Sequence, residues 1–199
     1  MITKPKNICV IGAGMIGTAI GNILAAKNDL SVTLFTIESD VADSINTIKV
    51  NKKYFPNIKL NSGLKAITDL NTIKGSDIIF LAIPSGVTVD FILKNSSLIP
   101  EGSVIVNLAK GFGKGRKTIT EYLAESIPNT ICSLKGPTFA REIVSGSPTA
   151  FTFAANDQGL FPVFSELFNK TNIFLDFTTD VKGIEILSIL KNIYAIVLG

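Results

Sequence analysis

The sequence predicts a doubly wound α/β fold around a mainly parallel sheet, and three observations carry that prediction. Short apolar runs alternate with helical patterns along most of the 199 residues, a βαβα rhythm. The runs are apolar throughout rather than at every second residue, as in strands covered by helices on both faces. A Gly-x-Gly-x-x-Gly turn, Gly12-Ala13-Gly14-Met15-Ile16-Gly17, joins the first run to the first helical pattern.

In chain order, the first strand is read at 8–11 and is followed by a helix over about 18–27. A second strand at 31–37 precedes a helix over 40–50. Asp69 to Gly75 reads as a loop, with room for a short strand just before it. The run 77–83 (Asp-Ile-Ile-Phe-Leu-Ala-Ile) leads to a helix over 87–95, and the run 103–108 to a helix over 117–126. A strand at 131–134 follows, then a pair at 149–154 and 172–177 around a helix over 157–169.

Composition narrows the function classes. Hydrophobic residues make up 46% of the chain and charged residues 18%, enough for a large core. The formal charge is only +3, and no Lys/Arg cluster is interleaved with aromatics, so no nucleic-acid partner is expected. Lys114 to Lys117 reads as a solvated loop. Two cysteines give no disulfide framework; Cys9 and Cys132 fall inside strands and read as buried, inert thiols. With no histidine in the chain, His-metal sites and the commonest general acid/base are excluded. No metal site is expected. Residues 7–26 carry no charge and follow two lysines, which imitates a leader or a membrane span. The glycine pattern explains that run better, so a cytoplasmic protein without a membrane span is expected.

Each glycine of the turn has a physical reason. Gly12 permits the tight bend, Gly14 lets a pyrophosphate approach the backbone, and Gly17 lets helix and strand pack closely. The following helix directs free N–H groups and partial positive charge at the phosphates. Glu38 stands close to the roughly 20-residue offset at which an acid meets the ribose hydroxyls. The fingerprint therefore predicts a Rossmann-like dinucleotide-binding domain. Ligands of such sheets lie beyond the carboxyl ends of the strands. Those ends carry Pro84-Ser85, Ala109-Lys110-Gly111 and Lys135-Gly136-Pro137-Thr138, which should line one crevice.

The segment from Lys182 to Gly199 differs in kind. From Gly183 on it is apolar nearly all round, with Glu185, Ser188, Lys191 and Asn192 within an arc of about 120° on a helix. A polar stripe on an otherwise apolar helix is expected to face a wet cleft or a ligand. The apolar pattern gives no reason to stop at Gly199, so residues 1–179 are assigned to the cofactor domain. Residues 180–199 are assigned to the first helix of a truncated second domain. Lys191 on that stripe can give or take a proton at a substrate oxygen; the alternative is a lysine whose tip snorkels to solvent. Lys110, at a strand end before Gly111, suits an anionic substrate or a cofactor phosphate, or else is a solvated loop lysine. Glu142 and Glu185 are read as structural partners of these two lysines.

Several motifs in order match one family: Gly12 to Ala19, Asn51-Lys52-Lys53-Tyr54-Phe55-Pro56, Ala82-Ile83-Pro84-Ser85 and Ala109-Lys110-Gly111. Gly136-Pro137-Thr138-Phe139-Ala140-Arg141-Glu142, Gly146 to Ala150, and Leu190-Lys191-Asn192-Ile193-Tyr194-Ala195-Ile196 complete the set. On these motifs the chain resembles the bacterial-type NAD(P)-dependent glycerol-3-phosphate dehydrogenases. The resemblance implies reversible hydride transfer between NAD(P)H and dihydroxyacetone phosphate, giving sn-glycerol 3-phosphate for phospholipid biosynthesis. It implies Lys191 as the catalytic acid/base at the C2 oxygen, with Lys110 shared between cofactor and substrate. Gly136, Thr138, Lys191 and Asn192 become substrate contacts. Gly12, Gly14, Met15, Ile16, Gly17, Glu38, Lys110 and Ala140 become cofactor contacts. The last helix resembles the first helix of an all-α substrate domain, and a homodimer is expected.

Two departures qualify the resemblance. The family often has Arg or His where this chain has Ile37, and Glu38 would repel a 2′-phosphate. NAD(H) is therefore expected over NADP(H). The family's later substrate-gripping residues lie beyond Gly199, so the chain alone is expected to be inactive. The alternatives are a related two-domain reductase, such as a ketopantoate reductase, and a non-catalytic NAD(H)-binding module.

Overall fold

In the computed structural model, which describes residues 4–198 and side chains through Lys191, eight strands form one sheet. The strands are β1 (Asn7–Ile11), β2 (Ser31–Phe35), β3 (Lys65–Ile67), β4 (Ile78–Leu81), β5 (Val104–Asn107), β6 (Thr130–Lys135), β7 (Thr149–Ala154) and β8 (Ile173–Thr178). Their order is β3-β2-β1-β4-β5-β6-β7-β8. From β3 to β6 every pairing is parallel; β7 runs antiparallel to β6, and β8 parallel to β7. The predicted doubly wound, mainly parallel sheet is thus observed. The reversal at β7 was invisible in the pattern, because a buried strand is apolar whichever way it runs.

The helices are α1 (Met15–Leu24), α2 (Ser39–Ile48), α3 (Ser85–Lys94), α4 (Ile119–Ser126), α5 (Ala140–Val144), α6 (Leu160–Phe168) and α7 (Val181–Leu198). They cover two hydrophobic cores, one on each face of the sheet. One face gathers Val10, Leu34, Phe80, Val106, Leu134, Phe153 and Phe164. The other gathers Cys9, Ile11, Ile79, Leu81, Ile105, Ile119 and Leu123. Alternate residues of β4 and β5 fall into opposite cores, as the period of two in a strand requires.

Differences from the sequence expectations are local. The second strand ends at Phe35, because Thr36 turns to cap the chain: its Oγ1 accepts the amide of Glu38, 3.1 Å away. The expected loop at 69–75 is a turn of 3-10 helix capped by Asp69, whose carboxylate accepts the Asn71 amide. The short strand before it is β3. A short helix, α5, begins within the Gly136 to Glu142 motif and runs on to Val144, where no helix was expected. Five residues are too few to show a period. Helix α7 packs on β6, β7 and α4. No helix among the described residues is long and apolar enough to cross a membrane.

Candidate functional site

The turn after β1 is built from exclusions of side-chain volume. Gly12 has φ +111°, a conformation L side chains rarely adopt, and a Cβ there would stand 2.5 Å from the carbonyl oxygen of Ala82. A Cβ at Gly17 would overlap the carbonyl oxygen of Gly12 and stand 3.0 Å from the Ala82 Cβ, so α1 rests directly on the turn. Around Gly14, by contrast, a Cβ would meet nothing within 4 Å. Gly14 is the N-cap of α1, and no side chain caps that end. Its orphan N–H groups therefore open onto free space, the cradle an anion needs.

Two adjoining cavities flank this helix end, sharing Ile16 and Leu108 as a common wall. The first, of about 630 Å³, is bordered by Gly12, Gly14, Ile37, Glu38, Tyr54 and Pro84, among others. At its far edge Tyr54 Oη donates to Glu38 Oε1 at 3.2 Å, and Lys53 is ion-paired to Oε2. The pair draws Lys53 above the ordinary lysine range, chiefly through the hydrogen bond to Glu38. Ile37 is solvent-exposed, so no cation stands there, yet Lys53 supplies one beside the same carboxylate.

The second cavity, of about 690 Å³, is bordered by Met15, Lys110, Lys135, Gly136, Thr138 and Ala140, with exposed Phe139 at its mouth. A smaller hollow beside it joins Lys135 and Gly136 to Ser188 and Lys191 of α7. Lys191 Nζ lies 5.5 Å from the centroid of the Phe139 ring, within cation–π range. Lys110 is pulled below the ordinary lysine range, first by burial and then by the nearby charge of Lys191. Gly136 is required structurally: a Cβ would stand 2.5 Å from the carbonyl oxygen of Ala150 on β7.

The structure therefore brings Gly12, Gly14, Met15, Ile16, Glu38, Lys110, Ala140, Gly136, Thr138 and Lys191 to one crevice at the carboxyl ends of the strands, with Gly17 directly behind it. The Asn192 side chain lies outside the described residues. Two expectations need correction. Glu185 is not the partner of Lys110 or Lys191, and it does not face a wet cleft. It is 1% exposed and pairs with Lys135, 4% exposed, at 3.2 Å. Its carboxylate also accepts from Asn107 Nδ2 (2.5 Å), Ser133 Oγ (2.8 Å), and the Thr120 amide (3.2 Å) and hydroxyl (3.1 Å). Glu142 caps α5, accepting the Phe139 amide at 3.4 Å.

Lys135, read from the sequence only as part of a loop lining the crevice, also carries a buried ion pair. Burial depresses it to about 8, against the opposing pull of Glu185. One signal could have found it: like Lys110, it closes an apolar strand immediately before a glycine. Both thiols are buried, and burial pushes each up to about 12. Among the described residues no cluster of acids and cysteines could hold a metal ion.

A family model described as NAD-dependent glycerol-3-phosphate dehydrogenase N-terminus matches residues 7–161. A Halothermothrix orenii protein named glycerol-3-phosphate dehydrogenase (NAD(P)+) is 34% identical over 198 residues, covering 96% of this chain and 57% of that protein. A Leptospira biflexa protein of the same name is 35% identical over 198 residues, covering 96% of this chain and 59% of its own length. The crystal structure of glycerol-3-phosphate dehydrogenase from Coxiella burnetii superposes with a TM-score of 0.89 at 30% identity, over 96% of this chain and 59% of that one. The chain thus spans under three fifths of the length of these relatives.

Proposed function

The chain belongs to the NAD-dependent glycerol-3-phosphate dehydrogenase family, and from that premise we propose that it serves a reversible hydride transfer between NAD(H) and dihydroxyacetone phosphate. The observation that carries the proposal is the meeting of an uncapped helix end at Gly14 with facing lysines, Lys110 and Lys191, across one wall of Ile16 and Leu108. The open space at Gly14 suits a pyrophosphate, and the cavity edged by Glu38 suits an adenosine ribose. When bound, the nicotinamide supplies or takes the hydride.

The protein's part is proton management, charge and orientation. Lys191 gives a proton to the C2 oxygen of the ketone in reduction and takes one from the alcohol in oxidation. Lys110, whose proton affinity is lowered by burial and by Lys191, stands beside it as a second cation for the substrate or the cofactor. With Arg141 also on the cavity, the cationic side chains favour a phosphorylated substrate. Gly136, Thr138 and Asn192 contact the substrate, and Met15, Ile16, Gly17 and Ala140 shape the cofactor's seat. Gly12 and Gly17 hold the turn itself.

The finer assignments belong to the same reading. NAD(H) is preferred, because Glu38 opposes a 2′-phosphate, although Lys53 softens that opposition. Residues 1–179 form the cofactor unit and 180–199 open a second, helical one. The product feeds phospholipid biosynthesis in the cytoplasm; residues 7–26, which imitate a leader, are β1 and α1 of the nucleotide-binding unit. Exposed Phe174 and Leu187 favour a homodimer, which light scattering would detect.

The test completes the chain with the C-terminal part of a full-length relative and follows NADH oxidation on addition of dihydroxyacetone phosphate, together with NADH binding by fluorescence. Residues 1–199 alone should bind NADH without turning it over. Lys191→Met should lower turnover by about 10²–10⁴-fold with NADH affinity retained. Turnover unchanged by that substitution would overturn the assignment.

A further inference from the structure

Lys135, at the edge of the second cavity, forms with Glu185 a buried pair that joins the two elements that carry the facing lysines. Lys135 closes β6, and its ammonium donates to the carbonyl oxygens of Asn107 (3.1 Å) and Ala109 (2.5 Å). Ala109 is bonded covalently to Lys110, so the grip falls on the peptide that aims Lys110 into the cavity. On its other side the ammonium meets Glu185 of α7 at 3.2 Å. Glu185 is fixed in turn by Asn107 and Ser133, from β5 and β6, and by Thr120 of α4. One and a half turns further along α7 stands Lys191. Between them Ser188 donates its hydroxyl to the Glu185 carbonyl at 2.7 Å.

We propose that Lys135 is a positioning residue of the site: through Glu185 and the two carbonyls it ties the strand end bearing Lys110 to the helix bearing Lys191, and so sets how closely those two lysines face each other. A buried ion pair is a costly way to gain stability, since the desolvation of both charges offsets most of their attraction. Here the pair has a geometric role that an apolar contact of similar volume would not fill. It binds directionally to two strands and one helix at once, and it is the crossing point between them. The inference rests on the proposed use of Lys110 and Lys191 in hydride transfer, but its geometry does not.

The test reads the separation of the two lysines through the proton affinity of Lys110. That group is held down by burial, then by Lys191, while Lys135 is the other cation near it. Competitive labelling with acetic anhydride across pH, read by mass spectrometry, gives the midpoint of each lysine in the folded protein. The double variant Lys135→Met/Glu185→Gln removes both ends of the pair. Above pH 8, where Lys135 has largely lost its proton, the charge removed is chiefly that of Glu185, whose loss alone would lower the Lys110 midpoint. If the pair positions the lysines, Lys191 drifts away and the Lys110 midpoint rises by about half a unit or more, a roughly threefold loss of reactivity at fixed pH. The single variant Glu185→Gln is sharper. Charge alone would lower the Lys110 midpoint or leave it in place, whereas loosening α7 raises it. A Lys110 midpoint that stays put or falls in the folded variants would overturn the proposal. Protection of Lys110 and Lys191 from labelling by NADH with dihydroxyacetone phosphate separately tests the underlying reading. Its absence would sink that reading while leaving the positioning result intact.

Discussion

Gly14 and Gly17 are three residues apart on one turn, and substituting alanine at each should separate binding from stability. At Gly17 the new methyl would overlap the Gly12 carbonyl oxygen and lie 3.1 Å from the Gly12 carbonyl carbon, against about 3.5–4.0 Å for a relaxed contact. Neither neighbour can yield easily. Gly12 is already at φ +111° and is hydrogen-bonded through its amide to the Phe35 carbonyl at 2.8 Å. The first turn of α1 must therefore tilt off the sheet. Overpacking of this kind costs about 1–3 kcal/mol, and the better helix propensity of alanine returns roughly 1 kcal/mol at most. The backbone contact places the overpacking term near the top of its range, leaving a net loss of about 1–2 kcal/mol. For a chain of this length that lowers Tm by about 2–8 °C. Gly14 has φ −71° and nothing within 4 Å of a built Cβ, so alanine there should leave Tm within about 1–2 °C of the parent. Its methyl instead occupies the space proposed for the pyrophosphate. Thermal melts by circular dichroism and NADH titration by fluorescence measure the two effects. Gly17→Ala should lose both stability and NADH affinity, and Gly14→Ala affinity alone, by about tenfold or more. A Gly14→Ala protein that binds NADH like the parent, or a Gly17→Ala protein that melts like it, would refute the reasoning.

Three further outcomes follow from the charges and thiols. Lys135 titrates near 8 in the folded protein and at 10.5 when unfolded, so between those values only the unfolded chain keeps the proton and stability rises with pH. In urea melts from pH 7.5 to 10, the parent should gain about 1–3 kcal/mol relative to Lys135→Met/Glu185→Gln; parallel pH profiles would contradict this. Lys53→Met leaves Glu38 without its cation, so the preference for NADH over NADPH should harden several-fold in Kd, and a softened preference would defeat the assignment. Cys9 and Cys132, each pushed up to about 12 by burial, should resist a thiol reagent at pH 8 until urea unfolds the chain; stoichiometric labelling of the native protein would disprove their burial.

Most of the sheet was legible because parallel strands buried on both faces are uniformly apolar, and five such runs coincide with β1, β2, β4, β5 and β6. The glycine turn was legible because Gly12 and Gly17 answer geometric demands that no other residue meets, at the spacing that leaves Gly14 open between them. What escaped the sequence depends on contacts between distant residues. The direction of β7 is set by its pairing with β6, Leu134 against Phe153, and no local pattern records it. The partner of Glu185 is 50 positions away in the chain, so charge and helical phase could identify a polar stripe but not the lysine that answers it. The same holds for Lys53. Its place in a motif was visible, while its approach to Glu38 depends on the fold of the loop after α2.

The site also owes its placement to a single row of the sheet. Parallel pairing aligns Phe35, Ile11, Leu81, Asn107 and Ser133 across β2, β1, β4, β5 and β6. Every group assigned to chemistry on these strands lies one to three residues beyond that row: Gly12 and Gly14, Glu38, Lys110, Lys135. A slip of one residue in any pairing would turn the side chains of that strand to the opposite face. It would carry Lys135 away from the carbonyls it holds, or Gly12 away from the close approach of Ala82. The apolar identity of the strands is what forbids the slip, since it would exchange the two cores that Ile79 and Phe80, or Ile105 and Val106, fill from opposite sides. Residues that make no contact with the crevice thus fix, through register alone, the distance between its glycine turn and its lysines.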